Sequence, residues 1–284
     1  MSQPKSAFMP PRASSITHLH IASVLATELG PKPTIRILDA GCGKGIMLNY
    51  LREFLPSVFP ATKIETYGFE VNDFAPPGHS FATEETTQIR SDQPWPYPDA
   101  WFDAVVSNQV LEHVRDHDFF FSQVRRVLRG DGISVHLAPV RECIQEGHVY
   151  VPMSHWLVRK HPAFTAKYAR LAARLRIIRE RAEEIPAYGK TDIGERVTQF
   201  LTGNCNYLTS RELIACARRH GFDASFRHTP KFYSAKLRAM IGKPPQVPYP
   251  RTWFSGMWLF KRLSSVTLVL RVASNSGAAA RSAS

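Results

Sequence analysis

The stretch Ile37-Leu38-Asp39-Ala40-Gly41-Cys42-Gly43-Lys44-Gly45 constrains this chain more than any other. Thr34 to Leu38 are mostly β-branched or aliphatic, the pattern of a parallel strand buried on both faces. An acidic residue follows, then three glycines at alternate positions. Beyond Gly45, the apolar residues Met47, Leu48, Leu51, Phe54 and Leu55 recur at helical spacing. Strand, glycine turn and helix make one unit of an open α/β sheet, and such sheets bind ligands at the carboxyl ends of their strands. Glycine lets the backbone approach a ligand because it lacks a Cβ and accepts positive φ. The spacing disfavours two ligand classes. A dinucleotide fingerprint, G-x-G-x-x-G counted from Gly41, needs glycine where Ile46 stands, and the G-x-x-x-x-G-K-[ST] phosphate loop is absent.

A second strand is expected at Ile64–Glu70, ending in an acidic residue about one βα unit beyond the turn. In nucleotide-binding α/β folds such a residue accepts hydrogen bonds from ribose hydroxyls. A short third strand is expected near Thr86–Arg90, followed by Asp92. The block Trp95-Pro-Tyr-Pro-Asp-Ala-Trp-Phe-Asp103-Ala-Val-Val-Ser-Asn108-Gln-Val-Leu-Glu112-His113 then supplies a fourth strand over Phe102–Ser107.

These motifs resemble the class I S-adenosylmethionine (SAM)-dependent methyltransferases. D-x-G-x-G-x-G matches their motif I, and the Trp95–His113 block resembles their L-P-F-x-D-x-x-F-D … L-E-H segment, with Trp95 and Tyr97 in place of Leu and Phe. SAM has no pyrophosphate but carries an amino-acid tail and a cationic sulfonium, which suits an acidic strand end beside a close backbone. The resemblance implies a doubly wound α/β fold with a mostly parallel seven-stranded sheet and a helical insertion after the fifth strand. It implies SAM as cofactor, held by Asp39, Gly41, Cys42, Gly43, Gly45, Glu70, Asp92 and Asn108. Asp92 is the candidate for the adenine amino group, and Asn108–His113 is expected to face both cofactor and acceptor. His113 is the candidate general base, because imidazole titrates near neutrality.

The remaining core is expected as a helix at Ile16–Leu29, a helix at Asp118–Arg129 capped by Gly130-Asp131-Gly132, and a fifth strand at Ile133–Ala138. Pro56 and Pro60 are expected to break the helix after the glycine turn. A helix N-capped by Thr209, with Glu212 closing a capping box, leads to a sixth strand at Phe222–Arg227. Ser265–Val272 alternates as a seventh strand, residues 1–14 form a flexible arm, and the tail from Ala273 is expected to be disordered. One domain, 15–272, thus carries two insertions, at 141–203 and 230–261. The first contains His148, His155 and Trp156, which are candidate acceptor contacts, and a basic helix over Pro162–Glu184. The second is expected to be irregular, with Trp253, Phe254, Met257, Trp258 and Phe260 beside Lys261 and Arg262. Both are assigned to the acceptor lid.

The net charge of +12 and pI near 9.8 point to an anionic partner: an acidic or phosphorylated small acceptor, nucleic acid or an anionic membrane face. No aromatic RNA-binding motif accompanies the charge, so a small-molecule, saccharide or lipid-type acceptor ranks above RNA or another macromolecule. A non-catalytic SAM-binding protein is the remaining alternative. The four cysteines form no C-x-x-C pair, and none of His136, His148, His155 and His161 pairs at H-x-x-x-H spacing. Neither a disulfide framework nor a metal site is expected, and the cysteines suit a reducing cytoplasm. No apolar run reaches transmembrane length, so only peripheral membrane contact is envisaged.

Overall fold

The computed structural model describes residues 15–71, 86–149, 151–175, 192–243, 260 and 262–273. The expected arm before residue 15, the loop at 72–80, the basic helix beyond 175, the prolines of 244–250, Trp253–Trp258 and the tail from 274 lie outside them.

Seven strands form one sheet in the order β3-β2-β1-β4-β5-β7-β6. They are β1 Thr34–Ala40, β2 Lys63–Val71, β3 Thr86–Ile89, β4 Phe102–Asn108, β5 Leu128–Ala138, β6 Phe222–Ser225 and β7 Val266–Val272. β1 lies parallel between β2 and β4, and β7 alone runs antiparallel to its neighbours. The order reverses at β1 and β4, the switch point where open sheets of this kind bind ligands.

Alternation along the strands divides the core in two. Ile35 and Ile37 of β1, with Ala104 and Val106 of β4, pack on α1 (Ile16–Glu28) and α2 (Ile46–Val58). Leu38 and Ala40, with Phe102 and Val105, pack on α3 (His117–Val127) and α7 (Ser210–Arg219). Phe102 and Ala104 would share a face in a regular strand. A register irregularity between them turns Phe102 to the opposite side.

Ser15 caps α1 and Asp116 caps α3 through side-chain oxygens, and Thr209 with Glu212 closes the expected capping box on α7. Three expectations are corrected. Gly130–Gly132 do not cap α3, because Leu128 already turns extended and the glycines belong to β5. A Cβ at Gly132 would press on Leu128, so glycine serves packing there. Pro56 does not end α2; it sits in the last turn, so the one intrahelical bond its missing N–H forgoes lies at the helix end. The piece expected to be irregular from Pro230 is helical over α8 (Thr229–Met240), and buried Phe232 joins the α1 side of the core.

The insertion after β5 contains α4 (Ser154–Leu157), α5 (Pro162–Arg174) and α6 (Ile193–Asn204) around a small core of its own, including Val149, Val158, Ala169, Val197 and Leu201. α5 and α6 lie close because Gly194 has no side chain; a Cβ there would run into the Ala166 carbonyl.

Candidate functional site

The end of β1 runs into a loop whose three glycines are all left-handed: Gly41 at φ +81°, Gly43 at +51° and Gly45 at +71°. Gly41 and Cys42 donate their N–H groups to Phe69 O at 2.9 and 3.0 Å, which fastens the loop to β2. Gly45 then opens α2. Gly41 lies against Val110, so that a Cβ would come 2.6 Å from Val110 Cγ2, whereas nothing lies within 4 Å of a Cβ built on Gly43. The Gly43 position is a backbone shelf that a side chain would obstruct.

Two carboxylates serve this loop. Glu70, at the end of β2, accepts from Gly43 N at 2.6 Å and Val71 N at 2.9 Å. Asp39 is buried, and among the described residues its Oδ1 has no hydrogen-bond partner. Burial, reinforced by the charge of Glu70, pushes the Asp39 carboxyl up to about 7. A buried acid beside a second acid is unfavourable until a cation or donor joins them. The ammonium, sulfonium and ribose hydroxyls of SAM supply both, so the donor and acceptor set fits that cofactor. Cys42 is buried under the loop. Asn108 closes β4 nearby, donating to Thr17 Oγ1 at 3.2 Å, with its Oδ1 unpartnered among the described residues. Asp92 stands apart. Its side chain is 67% exposed and paired with Arg90 at 3.2 Å, and that hydrogen bond lowers its pKa.

Beyond Asn108 the chain turns sharply at Gln109, which takes φ +58° and is held by Leu137 O at 2.8 Å. A single 3-10 turn, Leu111–His113, follows. Asn206 binds back to it, its N–H donating to Glu112 O at 2.6 Å and its amide to Val114 O at 3.0 Å. His113 Nδ1 donates to Asn204 O at 2.7 Å, and its Nε2 lies 3.1 Å from His148 Nε2. Burial lowers the His113 pKa against the opposing pull of Asn204 O. His148 Nδ1 meets Glu146 Oε1 at 2.9 Å, and Tyr207 O–H donates to the same oxygen. Burial alone would lower His148, but the Glu146 hydrogen bond prevails and raises it. Glu146 is correspondingly low: burial raises it, and His148 with Tyr207 and Val149 N outweighs that. Glu112 is buried, which pushes its carboxyl up to about 7.

A cavity of about 370 Å³ opens beside this cluster. His113, Arg115, Arg141, His155, Arg159, Asn204, Asn206 and Tyr207 line it, together with apolar Val158 and Leu201, and among the described residues no acidic side chain does. The structure therefore brings His113 and His155 to one cavity. His148 stands behind His113, and Trp156 does not line the cavity, its indole N–H being spent on Arg141 O. Sequence reasoning missed the arginines and the buried pair Glu112 and Glu146. Arg115 directly follows the L-E-H segment and was legible there; Arg141 and Arg159 meet only through the fold.

A family model described as "Methyltransferase domain" matches residues 17–224. The chain is 31% identical over 125 residues to a "probable S-adenosylmethionine-dependent methyltransferase" of Mycobacterium tuberculosis, covering 44% of this chain and 43% of the relative. It is 34% identical over 98 residues to the fatty-acid O-methyltransferase of Mycolicibacterium smegmatis, covering 34% of each chain. It is 24% identical over 196 residues to the ubiquinone biosynthesis O-methyltransferase of Brucella ovis, covering 67% of this chain and 73% of that one. The chain thus spans less than half the length of the first two relatives. A solved SAM-dependent methyltransferase from Mesorhizobium loti superposes with a TM-score of 0.46 at 16% identity, covering 87% of this chain and 95% of the other. The family match runs from α1 into β6 and so takes in the glycine loop, Glu70 and the Asn108–His113 segment: the chain belongs to the methyltransferase-domain family, within the class I SAM-dependent methyltransferases, with SAM as cofactor.

Proposed function

We propose that the protein transfers the SAM methyl group, by in-line displacement, to an anionic small-molecule, saccharide or lipid-type acceptor bound in the cavity at His113. The carrying observation is the cavity lining: Arg115, Arg141 and Arg159, with no acidic residue among the described residues that line it, Glu212 meeting Arg141 at 3.5 Å from outside the lining. Guanidinium groups in such a pocket favour carboxylate or phosphate. Val158 and Leu201 add an apolar wall. The fatty-acid O-methyltransferase among the relatives is consistent with an acceptor that joins acid and hydrocarbon.

SAM carries the reactive group, and the protein orients it and its acceptor. In this reading Asp39, Glu70, Asn108 and the backbone of Gly41–Gly45, with Cys42 beneath it, hold SAM. Asp92 reaches the adenine only by giving up Arg90. The insertion at 141–203 forms the acceptor wall, with His155 as a direct contact. His148 acts through His113, and Trp156 anchors the Arg141 backbone. His113 is the candidate base for an acceptor that must lose a proton, with its Nδ1–H tied to Asn204 and its Nε2 shared with His148.

The test is transfer from labelled SAM to a panel of carboxylated and phosphorylated acceptors and their neutral analogues. Label is expected on the anionic members; equal transfer to the neutral analogues would refute the cavity reading. Label on RNA that persists at high salt would instead favour the macromolecular alternative, and SAM binding without transfer to any acceptor would favour a non-catalytic role. Peripheral membrane contact has one supporting observation: Leu237, Met240 and Ile241 are exposed at the end of α8 beside Arg238 and Lys243. Sedimentation with anionic vesicles tests it.

A further inference from the structure

Glu112, His113 and His148 converge on one point. His113 Nδ1 faces Asn204 O at 2.7 Å, and a carbonyl can only accept, so Nδ1 carries the ring proton. His148 Nδ1 faces the Glu146 carboxylate at 2.9 Å. That carboxylate already accepts from His148 N and Val149 N and from the Tyr207 hydroxyl, so His148 Nδ1 is also the protonated nitrogen. In the neutral rings both lone pairs therefore sit on Nε2. Those two atoms are 3.1 Å apart, with the rings crossed at 78°. Two lone pairs so placed repel unless positive charge lies between or beside them.

The third group is the Glu112 carboxylate. Its side chain has no exposure, and among the described residues neither oxygen has a hydrogen-bond partner. Its Oε1 lies 3.8 Å from His148 Nε2, and one ligand atom from each residue falls within 4.8 Å of the other two. A proton shared by the two rings relieves their repulsion but leaves Glu112 buried and unsatisfied, which is costly for a carboxylate. A divalent cation satisfies all three groups together.

We propose that Glu112, His113 and His148 form a binding site for one divalent transition-metal cation of the zinc class, beside the cavity that His113 lines. Tetrahedral zinc with bonds of roughly 2.0–2.1 Å sets its ligand atoms about 3.4 Å apart, and the observed 3.1 and 3.8 Å lie on either side of that value. Two imidazoles and one carboxylate leave a fourth position open, as catalytic rather than structural zinc sites do. The supporting groups are those of metal sites: a backbone carbonyl holds the far nitrogen of one ring, and a carboxylate holds that of the other. Spacing in the chain does not reveal the site, because His148 lies 35 residues beyond His113. A bound cation takes the lone pair that the base role needs, so the loaded protein has His113 as a ligand and not as a base. The site rests on these three side chains and not on the identity of the acceptor, so metal binding without methyl transfer would count against the acceptor reading alone.

The experiment strips the protein with a chelator and titrates it with Zn²⁺ and Co²⁺, with SAM calorimetry as a check that each variant is folded. One equivalent per chain is expected, with the visible absorption of four-coordinate Co²⁺. Glu112→Gln and His148→Ala should abolish saturable binding, and Glu146→Gln should weaken it about 10–100-fold by loosening its hold on His148 Nδ1. A second candidate group, Asp118, Cys216 and His220, already spends its carboxylate on Arg219 at 2.8 Å. Cys216→Ala should therefore leave binding intact. Absence of saturable binding in the parent protein, binding unchanged in the Glu112 and His148 variants, or loss in Cys216→Ala would each overturn the site. X-ray absorption at the zinc edge of the loaded parent protein decides it even where the variants fail to fold. Two imidazole nitrogens and no sulfur are required, and a sulfur ligand refutes the assignment.

Discussion

Gly41 and Gly43 sit two residues apart in the same loop, and their replacement by alanine separates conformational strain from steric strain. Both are left-handed, at φ +81° and +51°, and alanine in that region costs about 1–2 kcal/mol. Only Gly41 adds an overlap, with a Cβ 2.6 Å from Val110 Cγ2 and 3.1 Å from Cγ1. Val110 is β-branched and cannot rotate away freely, and overpacking of this kind costs about 1–3 kcal/mol. Gly41→Ala should therefore destabilise the SAM-free protein by about 2–5 kcal/mol, and Gly43→Ala by about 1–2. Adding Val110→Ala to Gly41→Ala should recover the steric part, giving a coupling of about 1–3 kcal/mol in a double-mutant cycle. Urea unfolding at fixed pH, with unchanged m-values as the condition for comparison, measures all four. Affinity for SAM should fall in Gly43→Ala despite its smaller stability loss, because the new methyl occupies the shelf beside Glu70. Equal destabilisation by the two alanines, or no coupling to Val110, would show that the loop does not lean on Val110 as described.

Three further outcomes follow from burial and charge. Asp39, raised from 3.8 to about 7, favours folding when protonated, so its contribution is complete below pH 4 and lost as pH rises through 7, about 4 kcal/mol in all. Asp39→Asn should flatten that part of the stability profile while weakening SAM binding; the smaller rise at Glu112, from 4.5 to about 7, remains and keeps a residual slope. Arg115→Ala and Arg159→Ala should each raise KM for an anionic acceptor about 10–100-fold, the worth of one charge-assisted hydrogen bond, with KM for SAM unchanged. Phe232→Ala should cost about 3–5 kcal/mol in urea unfolding, as a core phenylalanine does; a cost under 1 kcal/mol would place α8 outside the core.

What the sequence exposes follows from how local each determinant is. The glycine loop, Glu70 and the capping box on α7 depend on neighbours within a few residues, and their residue types alone signal them. Gly130–Gly132 misled because two glycines after a helix are a usual stop signal, whereas the pairing of Leu128 with Phe102 draws the chain into β5 first. α8 was obscured by the proline-rich segment after it, although Pro230 stands in its first turn, where proline is tolerated. The site beyond Asn108 is the least legible part. Its contacts join the 3-10 turn to residues 146–148 and 204–207, and no period in the sequence links segments so far apart.

The Asn108–His113 segment ties the glycine loop to the cavity lined by His113 by direct contact. Val110 packs on Gly41, its carbonyl accepts from His113 N at 2.8 Å, and His113 lines the cavity. From Gly41 to the His113 ring there is therefore one side-chain contact and one hydrogen bond. Gln109 holds a left-handed conformation at the start of this bridge, fixed through its N–H to β5 and its amide to Ser265 Oγ at 3.2 Å. Non-glycine residues in that region cost about 1–3 kcal/mol and persist where the surroundings over-determine them. The strain sits where a relaxed backbone would move Val110 and His113 together. Methyl transfer requires donor and acceptor to align in near-attack geometry, and a misplacement of about 1 Å can lose 10²-fold in rate. A stiff bridge of six residues satisfies that requirement better than two independently mobile halves, which gives a physical reason for the insertion after β5 to dock, through Asn204 and Asn206, on this turn rather than on the glycine loop itself.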